Sequence, residues 1–188
     1  MTRTSHRENT VHTALDNTPP HELARLVIEA FVLERRTIEP PRRPQGVLAG
    51  RAGVFVSLHI YDGDLRGCIG TLLPVRATVA EEVIHNAISA AVDDPRFSPV
   101  SPDELQYLKY GVDVLSPPEL ISGPEDLDPA LYGVAIKKHD GSRRGLLLPA
   151  IPGIETVEEQ WRTVHLKANI RLGAAVQVER FTVTRFGK

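Results

Sequence analysis

The chain is read as an α+β protein built on a largely antiparallel or mixed sheet with three main helices. Three observations carry this. Two stretches, 53–70 and 132–149, alternate apolar and polar residues on either side of an Asp-Gly pair. Three other segments place apolar residues at helical spacing behind a Thr capping signal. Hairpins and helices follow one another without the strand–helix–strand alternation of a doubly wound parallel sheet.

The first helix is expected to begin at Thr18 as N-cap, with Pro19 in the first turn, where a missing N–H is harmless. Leu23, Leu26, Val27, Ala30 and Phe31 share one face, and EPPRRPQG (39–46) ends the element. In GVFVSLHIYDGDLRGCIG, a two-residue turn at Asp62-Gly63 pairs Tyr61 with Asp64 and Ile60 with Leu65. It also sets Leu58 opposite Gly67, Val56 opposite Ile69, Ser57 opposite Cys68 and His59 opposite Arg66. Every apolar side chain then lies on one face, and a slip of one residue would mix the faces.

A second helix opens at Thr78-Val79-Ala80-Glu81, a capping-box pattern, and buries Val83, Ile84, Ala87, Ile88 and Ala91 before Asp94-Pro95 stops it. SPDE (101–104) repeats the signal for a short helix through Leu108, and residues 110–115 read as a strand. The second hairpin turns at Asp140-Gly141, with Ile136 facing Gly145 and Val134 facing Leu147. Thr156-Val157-Glu158-Glu159 opens a third helix with Val157, Trp161, Val164 and Ala168 inward. The tail, AVQVERFTVTRF (175–186), is a strand whose alternation changes phase between Val178 and Phe181, which predicts a bulge or bend.

At 188 residues the chain is expected to form one domain over 18–188 behind a flexible polar start, 1–17. A net charge of −2 implies no global attraction to nucleic acid or membrane, so neither is expected as a partner. A single cysteine cannot form an internal disulfide, and the N-terminus lacks the apolar core of a signal peptide, so a cytosolic location is expected.

That cysteine is the centre of the candidate site. Reactivity belongs to the thiolate, which a nearby guanidinium or imidazolium favours, and Arg66 and His59 fall on the same predicted face as Cys68. Gly67 and Gly70 leave room for a substrate or partner backbone. Free cysteine is also among the most buried residue types, so a packing role stands beside the chemical one. His85, His139 and His165 show no metal-ligand spacing and His6, His12 and His21 lie in or near the polar start, so no metal site is expected. GSRRG (141–145) is too loose for a phosphate loop. Arg42, Arg43, Arg143 and Arg144 would favour an anionic partner, but without interleaved aromatics the nucleic-acid reading is poor.

LRGCIGT, AVDDPRFSPVSPDEL, YGVAIKKHDGSRRGLLLP and ETVEEQWRTVHLKANI, in that order, resemble the AMMECR-type domain family, called AmmeMemoRadiSam system protein A in bacteria and archaea. The resemblance spans about residues 20–186. It implies a single α+β domain with a smaller packed subdomain, and genomic association with a Memo-type protein and a radical S-adenosylmethionine enzyme. The family's reaction and any cofactor are not established. The RGCIG core falls on Arg66, Gly67, Cys68, Ile69 and Gly70, the DxRF element on Asp94, Pro95, Arg96 and Phe97, and a late lysine on Lys167. Many prokaryotic members have a second cysteine just before that lysine. Here His165 occupies the position, and Asn169 stands where glycine is usual, so a mechanism that needs a cysteine pair within one chain is not expected, whereas a Cys68–His165 pairing would survive the change. Two functions follow as expectations. In an enzyme, Cys68 is nucleophile or redox thiol, Arg66 stabilises an anion, and His59 or His165 moves protons, with Lys167 at the same site. In a docking module, the LRGCIG strand with Arg96 and Phe97 forms the interface.

Overall fold

The computed structural model describes residues 15–61 and 63–187. The described chain forms two compact units, one ending at Val114 and resuming at Arg185, the other spanning Leu115–Thr184. The fold is α+β, as expected, with two four-stranded sheets in place of one. Of the polar start, residues 1–14, with His6 and His12, lie outside the described residues, whereas Leu15 is buried in the first core.

The first unit holds strands β1 (Val54–His59), β2 (Leu65–Gly70) and β3 (Lys109–Leu115), joined by β8 (Val183–Gly187), in the order β2-β1-β3-β8. Helices α1 (Pro20–Glu34) and α2 (Val79–Val92) pack with them around Leu23, Val27, Val56, Leu58, Val83 and Val112, all fully buried. Helix α1 starts one residue later than expected. Pro19 occupies the N-cap without a side-chain hydrogen bond, and Pro20 takes the first turn. The helix also ends before the proline-rich segment: Arg35 turns left-handed at φ +54°, and the N–H groups of Arg35 and Arg36 close back on Phe31 and Ala30. Helix α2 is capped as expected, with Thr78 accepting the N–H of Glu81.

The second unit holds β4 (Glu119–Ile121), β5 (Gly133–Lys137), β6 (Arg144–Leu147) and β7 (Gln177–Phe181), in the order β4-β7-β5-β6, all pairs antiparallel. Helix α3 (Val157–Ala168) covers one face, burying Val164 and Ala168 against Val134, Ile136, Leu147 and Val178. Its N-terminus has the full capping box: Thr156 accepts from Glu159, whose carboxylate accepts the Thr156 N–H. The hairpin register matches expectation, with Ile136 opposite Gly145 and Val134 opposite Leu147.

The tail differs from a single bent strand. Residues up to Phe181 pair in the second sheet, and residues from Val183 pair in the first. The phase change between Val178 and Phe181 falls inside β7, which pairs with β5 without a bulge and buries these two residues on opposite faces of the second sheet, and the change of sheet follows at Thr182.

Candidate functional site

The first hairpin builds the site. Its turn is one residue longer than the expected pair: Ile60 donates its N–H to Asp64 O at 3.0 Å, and Gly63, at φ +86°, donates to Ile60 O at 2.8 Å. Asp62 itself lies outside the described residues. A longer turn shifts the pairing by one, so His59 stands opposite Leu65 and not Arg66. The register then shifts back between Leu58 and His59, which leaves Arg66 as the extra residue of a bulge on β2. Beyond the bulge the expected pairs hold: Leu58 with Gly67, Ser57 with Cys68, Val56 with Ile69. The bulge thus restores burial of Val54, Val56 and Leu58 and places Ser57 and Cys68 together on the opposite face.

Thr71 donates its N–H to Val54 O at 3.0 Å, which fixes the phase of the ladder. Counting from there, Ser57 and Cys68 form a non-hydrogen-bonded pair, the closer of the two antiparallel types. The main chain of half-buried Cys68 therefore points away from β1, at the edge of the sheet. Two side chains from the segment after α2 meet it. Asp94 Oδ2 accepts the Cys68 N–H at 2.9 Å, and Arg96 Nη2 approaches Cys68 O at 3.4 Å. Arg96 also grips Asp94 through Nε to Oδ1 at 3.0 Å and Nη2 to Oδ2 at 2.7 Å. The Arg96 fork, with the N–H groups of Cys68 and Arg96, holds the buried Asp94 carboxyl far below the usual carboxylate range. Arg96 remains half exposed, and its charge is felt at the thiol.

Arg66 has a different partner from the one expected. Its Nε and Nη2 donate to Glu104 at 2.6 and 3.1 Å, and the fork lowers the Glu104 carboxyl to about 2. The ring of Phe97 lies between two cations, 5.8 Å from the Arg66 guanidinium and 5.4 Å from that of Arg96. Glu104 also completes a capping box with Ser101 on the 3-10 turn Pro102–Tyr107. The two glycines are filled from within the fold. A Cβ on Gly67 would lie 2.2 Å from Ala90 O, and one on Gly70 would lie 2.3 Å from the Phe55 ring. On the same face as Cys68, the register adds His59, Gly111 and Asp113, the last paired with Arg185 at 2.7 Å.

His165 and Lys167 belong to the second unit. His165 is buried on α3 with Nδ1 2.9 Å from Trp161 O, a hydrogen bond that requires the proton on Nδ1. Its Nε2 has no partner among the described residues. Lys167 is exposed on the last turn. Among the described residues no group of three or more His, Cys, Asp or Glu is placed to hold a metal ion. A groove of about 520 Å³ beside α1 is lined by Leu26, Leu33, Ile38 and Glu29, away from every candidate residue.

Sequence reasoning passed over the roles of Asp94 and Glu104. Asp94 was legible as a helix stop and as the first residue of the DxRF element, but not as the partner of Arg96 and Cys68, although an acid two residues before Arg96 is the pattern of a local fork. Glu104 was legible only as a capping residue.

The AMMECR1 family profile matches residues 21–187. The chain belongs to the AMMECR1 family. Among its AMMECR1-type relatives, a Thermotoga maritima protein is 52% identical over 162 residues, covering 85% of this chain and 92% of the relative. Protein TK0174 of Thermococcus kodakarensis is 45% identical over 139 residues, 69% of this chain and 66% of its own. Protein CA_C1420 of Clostridium acetobutylicum is 49% identical over 135 residues, which is 72% of this chain but 28% of that longer protein. The crystal structure of the uncharacterized protein PH0010 from Pyrococcus horikoshii is similar at a TM-score of 0.82 and 36% identity, covering 90% of this chain and 89% of that one. In this AMMECR1 chain LRGCIG is thus strand β2 at a sheet edge, and DPRF (94–97) is the clip on that edge.

Proposed function

We propose that Cys68 is the reactive group of a thiol-centred face on the first sheet. In this reading the protein is a cytosolic accessory component of a protein or small-molecule modification system, working beside Memo-type and radical S-adenosylmethionine proteins. The carrying observation is the two-sided hold on the Cys68 backbone: Asp94 fixes its N–H and half-exposed Arg96 approaches its carbonyl, with an electrostatic coupling between Arg96 and the thiol. A nucleophilic thiol needs a fixed backbone and a cation that favours the thiolate, and the Asp94–Arg96 clip supports this reading on both counts. Ser57 stands opposite as a hydroxyl that can hydrogen-bond an incoming group. His59, on the same face of the first sheet, is the proton-handling residue of this reading.

A second reading, a docking module, draws on Phe97. Its ring is flanked by Arg66 and Arg96, each already held by its own carboxylate, which makes a pre-organised aromatic and arginine surface of the kind enriched at interfaces. The experiment that separates the two is Cys68→Ser, nearly isosteric. Loss of complementation in a deletion strain, together with a covalent adduct recovered on Cys68 of the native protein, supports the thiol reading. Full complementation by Cys68→Ser, with a partner that still co-purifies and is lost in Phe97→Ala, replaces it with docking.

A further inference from the structure

We propose that the tip of the β5–β6 hairpin, with the end of α3, is a docking surface for an acidic segment of a partner protein. The first observation lies in the ladder. Lys137 stands directly opposite Arg144, and Lys138 donates its N–H to Arg143 O at 3.0 Å, so two basic cross-strand pairs follow one another. Like charges placed opposite each other destabilise a sheet, and a hairpin selected for stability alone would alternate signs here. On its other side Lys137 faces Gln177, and the nearest acid on β7, Glu179, is diagonal and holds the Gln177 amide at 3.0 Å. Asp140, the one carboxylate at the tip, is used by the turn, where it accepts the N–H and O–H of Ser142 at 2.9 and 2.7 Å.

The second observation is what joins this tip. Gly145 sits so close to α3 that a Cβ would lie 2.8 Å from Ala168 Cβ, and the Arg143 guanidinium donates to Asn169 O at the helix C-cap. Lys167 and Arg171, both exposed, are thereby brought to the same end of the unit. Residues 137–144 and 167–171 carry six Lys or Arg against one acid, in a chain whose net charge is −2. Among the described residues, Lys137, Lys138, Arg143, Arg144 and Arg171 form no ion pair, whereas Arg66, Arg96, Arg180 and Arg185 each have one. The helix dipole accounts for a cation near the end of α3, but not for the basic pairs of the hairpin.

The partner's chemistry follows from the shape of the patch. The charges sit on one narrow tip without Phe, Tyr or Trp in either segment, which suits a short run of Asp and Glu better than the longer cationic and aromatic track of a nucleic-acid surface.

The test uses the full chain and a fluorescent peptide of twelve residues rich in Glu, with a neutral scrambled peptide and a single-stranded oligonucleotide of equal length as comparisons. Charge complementarity of this kind predicts that the double variant Lys137→Glu, Arg144→Glu weakens binding of the acidic peptide by about tenfold or more. The single variant Arg144→Glu, facing Lys137, should weaken binding while its Tm stays the same or rises, because the repulsive pair becomes attractive. Reversing Arg42 and Arg43 in the first unit should leave binding unchanged. The proposal is overturned if the acidic peptide does not bind or binds no better than the neutral one. It is also overturned if the Arg42 and Arg43 reversal matters as much, if Arg144→Glu lowers Tm, or if the oligonucleotide binds more tightly.

Discussion

Asp94 accepts the main-chain N–H of Cys68 at 2.9 Å across 26 residues of sequence, and the same carboxylate is gripped by Arg96. An edge strand normally offers its outward N–H and C=O groups to any passing strand. Here the segment after α2 occupies those of Cys68 with side chains.

Replacing Asp94 by Asn removes the charge from a buried carboxylate that serves both the strand and the arginine. The expected loss is about 1.5–3 kcal/mol, the range for hydrogen bonds to charged groups, read from urea midpoints at pH 7. Because the Asp94 carboxyl titrates below its usual value when folded, its contribution is complete above the unfolded value of 3.8 and lost as pH falls below it. The difference between wild type and Asp94→Asn should therefore shrink in acid. A difference that stays constant to low pH would remove the ionised carboxylate from the account.

Glu104 gives a second acid-dependent contribution. Its carboxyl is lowered from 4.5 to about 2, first by the Arg66 fork and then by Ser101. A depressed carboxyl stabilises the fold above the unfolded value, and the stabilisation disappears as pH falls through the folded one. Thermal unfolding of Glu104→Gln should lose less Tm between pH 5 and pH 2 than the wild type does. Equal slopes would show that the Arg66 pair contributes nothing measurable.

Gly67 and Gly70 should both resist alanine, for different neighbours. At Gly67 the new methyl meets the carbonyl of Ala90 at 2.2 Å, part of the α2 backbone, so strand and helix must separate. Overpacking against backbone costs about 1–3 kcal/mol or more. At Gly70 the methyl meets Phe55 Cγ at 2.3 Å, an atom that ring rotation does not move, and the Val54 carbonyl at 2.5 Å, so here the paired strands must give way. Gly67→Ala and Gly70→Ala should each lower the denaturation midpoint, and an unchanged midpoint for either would contradict this packing.

Glu82 is fully buried on α2, where it accepts the hydroxyl of Thr71 at 3.1 Å and the N–H groups of Val75 and Arg76. It ties down the segment that follows β2, on which Leu73 and Val75 are exposed. Glu82→Ala leaves those donors without an acceptor, at about 1–3 kcal/mol for each one that remains buried. Hydrogen exchange at Val75 and Arg76 should accelerate more than at Leu58 in the core. Uniform acceleration would point instead to a global loss of stability.

Whatever depends on neighbours a few residues apart was legible in the amino-acid order. Alternation on either side of a turn was enough to pair Ser57 with Cys68 and Ile136 with Gly145, because a slip of one would exchange buried and exposed faces. Thr78 and Thr156 marked helix starts because capping partners lie within one turn. Contacts between distant segments set the rest. A turn one residue longer than expected moved Arg66 into a bulge, and Glu104, 38 residues away, then took its guanidinium. The last strand divided at Thr182 because two sheets, each with its own core, claim its halves. Glu82 and Asn86 lie inside α2 against the apolar pattern, since the groups they satisfy, the 71–76 segment and the carbonyl of Val54, come from other elements. A carboxylate's local sequence gives its charge and helical position, but its partner is set by which distant donor the folded chain brings within about 3 Å.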